Sequence, residues 1–279
     1  MMMSWSGRWR RWLLLAVAVP GVCMAQPGGA KSQVSLVSEF EGVVPGETSM
    51  LALRFDVPEE WHIYQPSQND TGLEPMVEWS SDADLRIGEF VWPAGKRFVQ
   101  PGEILDHGYE GTVLLMVPVD VPAALAVGSE VTVSASVEWL ECDAELCVPG
   151  SADVSITLPV RESASLSEYA EQFDTARAGL GVQLRGDPSE PVDVSWDGQT
   201  LVVAQKTRDG VGLSFVPGAG SARVRDLHAA GASDTGELRL EFQDIEGDVV
   251  GWIRVKHADG GSPSASSVWS LRTPVGGGS

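Results

Sequence analysis

The chain has 279 residues, of which 43% are hydrophobic, and a formal net charge of −20. This length and apolar content allow one or two domains with buried cores. The strong acidity argues against binding to nucleic acids or to anionic lipid surfaces, because phosphate groups would repel such a molecule.

The first 25 residues have the layout of a secretory signal peptide. Three arginines precede the apolar run "WLLLAVAVPGV", which is too short to span a bilayer. We predict cleavage after Ala25. A lipoprotein anchored through Cys23 is the weaker alternative, because Val22 stands where a small residue is expected. No later segment has the ~18 consecutive apolar residues of a membrane helix, so we expect a periplasmic or otherwise exported protein without direct membrane insertion.

Residues 34–160 are predicted to form an antiparallel β-sandwich. Apolar and polar residues alternate along "EVTVSASVEWL" and "ADVSITLPV", which is typical of strands with one buried face. The run "TVLLMVPVDV" is almost continuously apolar, as in a buried strand. Turn signals rich in proline and glycine separate these runs, and the whole pattern indicates an all-β sandwich.

The remainder is predicted to contain a connecting helix and a second, smaller β-domain. Residues 161–190 form the helical connector, with helical apolar spacing in "SLSEYAEQFDTARAGL". Residues 191–275 are again β-rich, and Asp197-Gly198 marks a hairpin turn. The terminal residues 276–279, "GGGS", are expected to be disordered.

The segment "WLECDAELCVPG" carries the clearest chemical signal. It lies between two alternating runs, so Cys142 and Cys147 are expected to face each other across a hairpin and to be able to form a disulfide in an exported protein. By the chain-entropy model so short a loop adds only about 2 kcal/mol of stability. The flanking acids Glu141, Asp143 and Glu145 should raise the pKa values of the two thiols. From spacing alone a structural staple, a redox pair and a metal clamp all remain open.

Several motifs in fixed order give this region a family resemblance. The motifs are Trp61-His62-Ile63-Tyr64, Trp92-Pro93, Gly108-Tyr109-Glu110-Gly111, and Trp139 with the cysteine pair and Pro149. In this order they resemble the N-terminal domain of the DsbD-type protein-disulfide reductases, and most closely the branch of the ScsB-like suppressors of copper sensitivity. The resemblance covers about residues 34–160.

The resemblance implies an immunoglobulin-like sandwich whose cysteine pair receives electrons from a membrane domain and reduces thioredoxin-fold partners in the periplasm. It implies that Cys142 and Cys147 are the catalytic residues, with Cys142 slightly favoured to attack first. It also implies a cap loop over the cysteines, formed by "LDHGYEG", and aromatic residues that line the site. The cap and site-lining residues are then Asp106, His107, Gly108, Tyr109, Trp61, Tyr64 and Trp139.

Longer family members continue into a membrane electron-transfer domain and a thioredoxin-like domain, which this sequence lacks. The resemblance therefore implies a separate membrane electron-transfer protein as donor, with no cofactor or metal in this chain, and a place in processes such as cytochrome c biogenesis or copper tolerance. Two alternatives stay open. One is a non-catalytic β-sandwich binding module with a structural disulfide. The other is a copper-handling envelope protein that uses the reduced cysteines with His62 and His107.

Overall fold

A computed structural model describes residues 30–206, 210–243, 246–257 and 268–276. The predicted signal peptide, its cleavage site after Ala25 and Cys23 lie outside the described residues. So do residues 277–279 of the predicted tail.

The N-terminal part is built from ten strands that pair only in antiparallel fashion. They are β1 (Gln33–Ser38), β2 (Thr48–Val57), β3 (His62–Tyr64), β4 (Met76–Ser81), β5 (Arg86–Ile87), β6 (Lys96–Gln100), β7 (Ile104–Tyr109), β8 (Gly111–Asp120), β9 (Glu130–Cys142) and β10 (Cys147–Pro159).

These strands form the two sheets of a sandwich. One sheet has the order β1-β2-β8-β5, and the other has the order β10-β9-β3-β7-β6, with β4 paired to β9. The apolar faces of β2, β8 and β9 meet between the sheets, where Phe55, Leu115 and Val133 are at most 1% exposed. The prediction of an all-β, immunoglobulin-like sandwich is confirmed.

The connector contains a single helix, α1 (Ala170–Ala178), which is shorter than the predicted helical segment. The Ser167 hydroxyl accepts a hydrogen bond from the Tyr169 backbone N–H at 3.1 Å, a local turn that delays the start of the helix. Phe173 is completely buried against the outer face of the β1-β2-β8-β5 sheet. In the described residues, no helix is long and apolar enough to cross a membrane.

The C-terminal part forms a second β-rich region with its own apolar cluster. Its elements are β11 (Val182–Gln183), β12 (Val192–Asp197), β13 (Thr200–Gln205), β14 (Gly210–Pro217), α2 (Leu227–Ala230), β15 (Ala232–Ser233), β16 (Glu237–Glu241), β17 (Asp248–His257) and β18 (Val268–Pro274). They form a sheet of order β11-β18-β17-β14-β15 and a sheet of order β12-β13-β16. The predicted hairpin at Asp197-Gly198 is confirmed, since Asp197 pairs with Thr200 and Gly198 has a φ of 62°.

Candidate functional site

The cysteine pair closes the hairpin between β9 and β10. Cys142 ends β9, Cys147 begins β10, and the two residues are direct partners in the register with a disulfide between them. In the turn, Asp143 Oδ1 accepts hydrogen bonds from the backbone N–H groups of Glu145 and Leu146, both at 2.8 Å. These two bonds lower the pKa of the Asp143 carboxyl. The prediction that the cysteines face each other across a hairpin is confirmed.

The two sulfur-bearing residues differ in burial. Cys142 is 0% exposed, because it lies in the sheet interior beside β3. Cys147 is exposed, and so is its neighbour Leu146, at 56%. Cys147 is therefore the cysteine of the pair that an incoming thiol can approach from solvent.

A tyrosine hydroxyl covers the buried sulfur. The Tyr64 hydroxyl donates to Cys142 Sγ at 2.7 Å and lies 3.9 Å from Cys147 Sγ. It also lies 3.2 Å from the hydroxyl oxygen of Thr71. Burial raises the pKa of Tyr64, so the phenol keeps its proton at neutral pH and acts as a donor.

A buried carboxylate determines the direction of these hydrogen bonds. Asp106 is 0% exposed and accepts from the Thr71 backbone N–H at 2.9 Å, from the Thr71 hydroxyl at 2.6 Å and from Gln100 Nε2 at 3.2 Å. Because the Thr71 proton points to the carboxylate, Thr71 Oγ1 can only accept from Tyr64. The single Tyr64 proton thus has two acceptors, Thr71 Oγ1 and Cys142 Sγ.

His62 lies beside the disulfide on the same strand as Tyr64. It is the register partner of Cys142, its ring stacks on Phe98 with centroids 4.3 Å apart, and it meets the Tyr64 ring at 5.2 Å. Burial lowers its pKa, which favours the neutral imidazole. Its Nε2 has no hydrogen-bond partner among the described residues.

The expectation that "LDHGYEG" forms a cap loop is wrong. Asp106, His107, Gly108 and Tyr109 belong to the buried strand β7, and the Tyr109 hydroxyl donates to the Pro93 carbonyl at 2.8 Å. A Cβ at Gly108 would lie 1.8 Å from the Ile63 carbonyl oxygen, so glycine permits the close approach of β3. An aromatic cap at that position is therefore sterically excluded.

The segment that lies over Tyr64 comes instead from residues 65–72, between β3 and β4. Gly72 has a φ of 60°, and a Cβ there would lie 2.2 Å from the Tyr64 ring. Sequence reasoning missed Thr71 and Gly72, because a Thr-Gly pair in a polar loop signals only a turn.

Of the three acidic residues around the cysteines, Glu141 does not belong to the expected negative flank, whereas Asp143 and Glu145 lie in the turn. Glu141 is 0% exposed and accepts hydrogen bonds from the backbone N–H groups of Lys31 and Ser32 and from Trp139 Nε1. Successive side chains of a strand point to opposite faces, so Glu141 points away from Cys142. Its charge therefore binds the N-terminal segment rather than raising the pKa of a thiol.

The other predicted site residues are buried in the protein interior. Trp61 and Trp139 belong to the sandwich core, where Trp139 meets Phe55 edge-on at 5.5 Å. His107 is 0% exposed, and burial together with the charge of Arg97 lowers its pKa to about 3. Among the residues that the structure describes, no three His, Cys, Asp or Glu side chains are grouped to hold a metal ion.

Comparisons with known proteins give a family match and a structural match with a TM-score above 0.5. The family model "Thiol:disulfide interchange protein DsbD, N-terminal" matches residues 33–159. The N-terminal periplasmic domain of ScsB from Proteus mirabilis is 15% identical, with a TM-score of 0.55, and the match covers 92% of this chain and 98% of that chain. The E. coli chaperone DraB is 11% identical over 85% of this chain and 98% of its own, with a TM-score of 0.19. No curated protein sequence matches.

The fold and the site together define an immunoglobulin-like sandwich with an oxidised cysteine pair at the end of a hairpin. The segment 33–159, which holds every predicted site residue, matches the model of the DsbD N-terminal family of thiol:disulfide interchange proteins. The likeness to the ScsB domain extends to most of the chain and concerns its fold.

Proposed function

We propose that this protein is a periplasmic thiol–disulfide exchange protein, similar to the protein-disulfide reductases, that passes electrons between thioredoxin-fold partners and a separate membrane electron-transfer protein through Cys142 and Cys147. One observation carries the proposal. One cysteine of the disulfide is exposed, while the other is buried, with its Sγ 2.7 Å from the Tyr64 hydroxyl. A purely structural disulfide does not require that its two cysteines differ in exposure. Thiol–disulfide exchange requires one accessible cysteine and one cysteine that is stabilised as the leaving group.

Reduction of the pair takes place in two displacements. A thiolate of the electron donor attacks Cys147 Sγ, the Cys142–Cys147 bond breaks, and its electron pair leaves on Cys142 Sγ. The second thiolate of the donor then attacks the donor sulfur that is bonded to Cys147 in the mixed disulfide, and Cys147 is released. Each released cysteine takes up one proton, so two electrons and two protons reach the pair while the donor becomes a disulfide.

Reduction of a partner is the same reaction in reverse. The exposed Cys147 thiolate attacks the partner's disulfide, and Cys142 then resolves the mixed disulfide. Exposure thus supports Cys147 as the first attacking residue, in place of the initial preference for Cys142. In both directions the Tyr64 O–H stabilises negative charge on Cys142 Sγ.

The surroundings of Cys147 support a protein as the reaction partner. Leu146 is 56% exposed in the turn beside it, and residues 144–147 are all exposed. An exposed leucine beside a reactive sulfur offers an apolar contact for a docked partner. Export to the periplasm is proposed from the predicted signal peptide and from the periplasmic origin of the similar ScsB domain.

Trapping of mixed disulfides tests the proposal. Cys142→Ser keeps the exposed thiol but removes the resolving one, so it should accumulate a mixed disulfide with a thioredoxin-fold protein on a non-reducing gel. Cys147→Ser should trap much less, and the double variant Cys142→Ser/Cys147→Ser should trap nothing. If neither single variant traps a partner and a thioredoxin dithiol does not reduce the wild-type disulfide, the pair is a structural staple and the protein a binding module.

A further inference from the structure

The second β-rich region holds the segment that covers the redox site. Three polar side chains of residues 65–68 form hydrogen bonds with it. Gln65 Nε2 and Ser67 Oγ donate to the Pro217 carbonyl at 3.1 and 2.8 Å. Gln68 uses both ends of its amide, since Nε2 donates to the Ala222 carbonyl at 2.8 Å and Oε1 accepts from the Val224 N–H at 2.9 Å.

These hydrogen bonds lie within a packed interface and not on an open surface. Leu105 of β7 is 2% exposed and packs into the apolar cluster of the second region. Arg97 donates to the Leu227 and His228 carbonyls at 3.2 and 3.1 Å, and Arg254 donates to the Ala94 and Gly95 carbonyls at 2.9 and 2.7 Å. These charged donors bind part-buried backbone carbonyl groups and so fix the two regions relative to each other.

Residues 65–72 also contact Tyr64, the residue that covers the buried sulfur of Cys142. Tyr64 directly precedes Gln65, Thr71 hydrogen-bonds the Tyr64 hydroxyl, and Gly72 lies on the Tyr64 ring. Residues 65–72, which we call the bridging segment, contain no helix or strand. Both ends of the segment are bound to β7, since the Gln65 and Asp70 N–H groups donate to the His107 and Leu105 carbonyls at 3.1 and 2.9 Å. Between these ends, the side chains at 65, 67 and 68 bind the second region.

We propose that the second β-rich region is a positioning element of the redox site, which holds the bridging segment so that the Tyr64 hydroxyl stays against Cys142 Sγ. An irregular segment without such contacts opens locally at low free-energy cost. A hydroxyl that moves away from the sulfur no longer stabilises a thiolate on it. Gln65, Ser67 and Gln68 are thus positioning residues that act through Tyr64, and their effect on exchange rests on the function proposed above.

Gln68→Ala in the full chain is the direct test, because it removes two of the four hydrogen bonds that residues 65–68 make to the second region, without touching Tyr64. We expect reduction of the disulfide by a thioredoxin dithiol to slow about five-fold, the effect of roughly 1 kcal/mol on a rate. In the Cys147→Ser background, the ultraviolet absorbance of the Cys142 thiolate should titrate at higher pH with Gln68→Ala than without it. Ser67→Ala, which removes one bond, should give a smaller change in the same direction.

A double-mutant cycle separates positioning from general stability. In a Tyr64→Phe background Gln68→Ala should have no further effect on the rate, because the hydroxyl through which it acts is gone. Gln199→Ala, the same change in the exposed β12–β13 turn, should leave both readouts unchanged. The inference is overturned if Gln68→Ala and Ser67→Ala leave the thiolate titration of Cys142 unchanged, or if Gln68→Ala slows the Tyr64→Phe protein equally. Since the titration needs no partner, it tests positioning even if the wild-type protein fails to exchange with thioredoxin.

Discussion

Cys142 and Cys147 are chemically unequal although they face each other across one hairpin. Cys147 is accessible, while Cys142 is buried and receives the Tyr64 hydroxyl. In thiol–disulfide exchange the attacked sulfur must be reachable, and the departing sulfur must tolerate negative charge. The hydrogen bond supplies that tolerance in a buried site, where an unpaired thiolate would be costly.

Tyr64→Phe should slow exchange while leaving the fold intact. Loss of a hydrogen bond to a charged group costs about 1.5 kcal/mol or more, which corresponds to an approximately ten-fold slower reduction of the disulfide. Stopped-flow fluorescence during reduction by dithiothreitol measures the rate. Tyr169→Phe, the same change at the start of α1, is the control and should behave as wild type. An unchanged rate for Tyr64→Phe would remove the hydroxyl from the mechanism.

Glu141 should matter for stability and not for exchange. Its carboxylate accepts from three donors, two of them backbone N–H groups of Lys31 and Ser32. Glu141→Gln replaces one acceptor oxygen with an NH₂ group that faces a donor, so we expect a loss of about 2 kcal/mol in the free energy of unfolding. Urea denaturation measures this loss, and Glu145→Gln in the exposed turn should show almost none. A slower disulfide reduction in Glu141→Gln would contradict the assignment of this side chain to the opposite face.

At the level of elements, the sequence was most informative where alternation was long. Strand β8 follows from its almost continuous apolar run, and β9 and β10 follow from their apolar alternation. The hairpin of β9 and β10 places the cysteines opposite each other. Strand β7 could not be predicted, because Asp106, His107 and Gly108 are residues that favour loops when they are exposed. They are accommodated in a buried strand because Asp106 receives donors from Thr71 and Gln100, partners that are distant or weakly marked in the sequence.

The contacts of the bridging segment with the second region could not be predicted from the sequence either. Its residues "QPSQNDTG" are polar and turn-forming, which describes many surface loops. Their role depends on the Pro217 carbonyl and on residues 222–224, some 150 positions further along the chain. No local pattern encodes a contact between a loop and a backbone carbonyl at that distance in the sequence.

Gly72→Ala should displace the bridging segment. The residue has a φ of 60°, and an added Cβ would lie 2.2 Å from the Tyr64 ring. Gly102 at the β6–β7 turn has a φ of 90° but no atom within 4 Å of an added Cβ. Gly102→Ala should therefore cost only the backbone strain, about 1 kcal/mol, whereas Gly72→Ala should cost more and also slow exchange. Thermal unfolding and disulfide reduction measure the two effects, and equal behaviour of the variants would exclude the steric contact.

At the level of the whole molecule, the two β-rich regions share a buried polar interface. His107 lies there on β7, 0% exposed, next to Arg97, which binds carbonyls of the second region. Neither ring nitrogen of His107 has a hydrogen-bond partner among the described residues. Protonation of this imidazole would bury a second positive charge beside the guanidinium, so the interface is compatible only with neutral histidine.

Acid should therefore loosen the molecule through His107, whose pKa is lowered from its ordinary value of 6.5 to about 3 by burial and by Arg97. Between these values the unfolded chain binds a proton that the folded chain does not. The free energy of unfolding should thus fall as pH decreases from 6.5, by up to about 1.4 kcal/mol per pH unit, and not change through His107 above 6.5. Urea denaturation at pH 7.5, 6 and 5 measures the slope. His107→Gln should reduce it, leaving the smaller contribution of His62, whose pKa is also lowered by burial. His228→Gln should retain it, and an equal slope in His107→Gln and wild type would show that the imidazole does not control this interface.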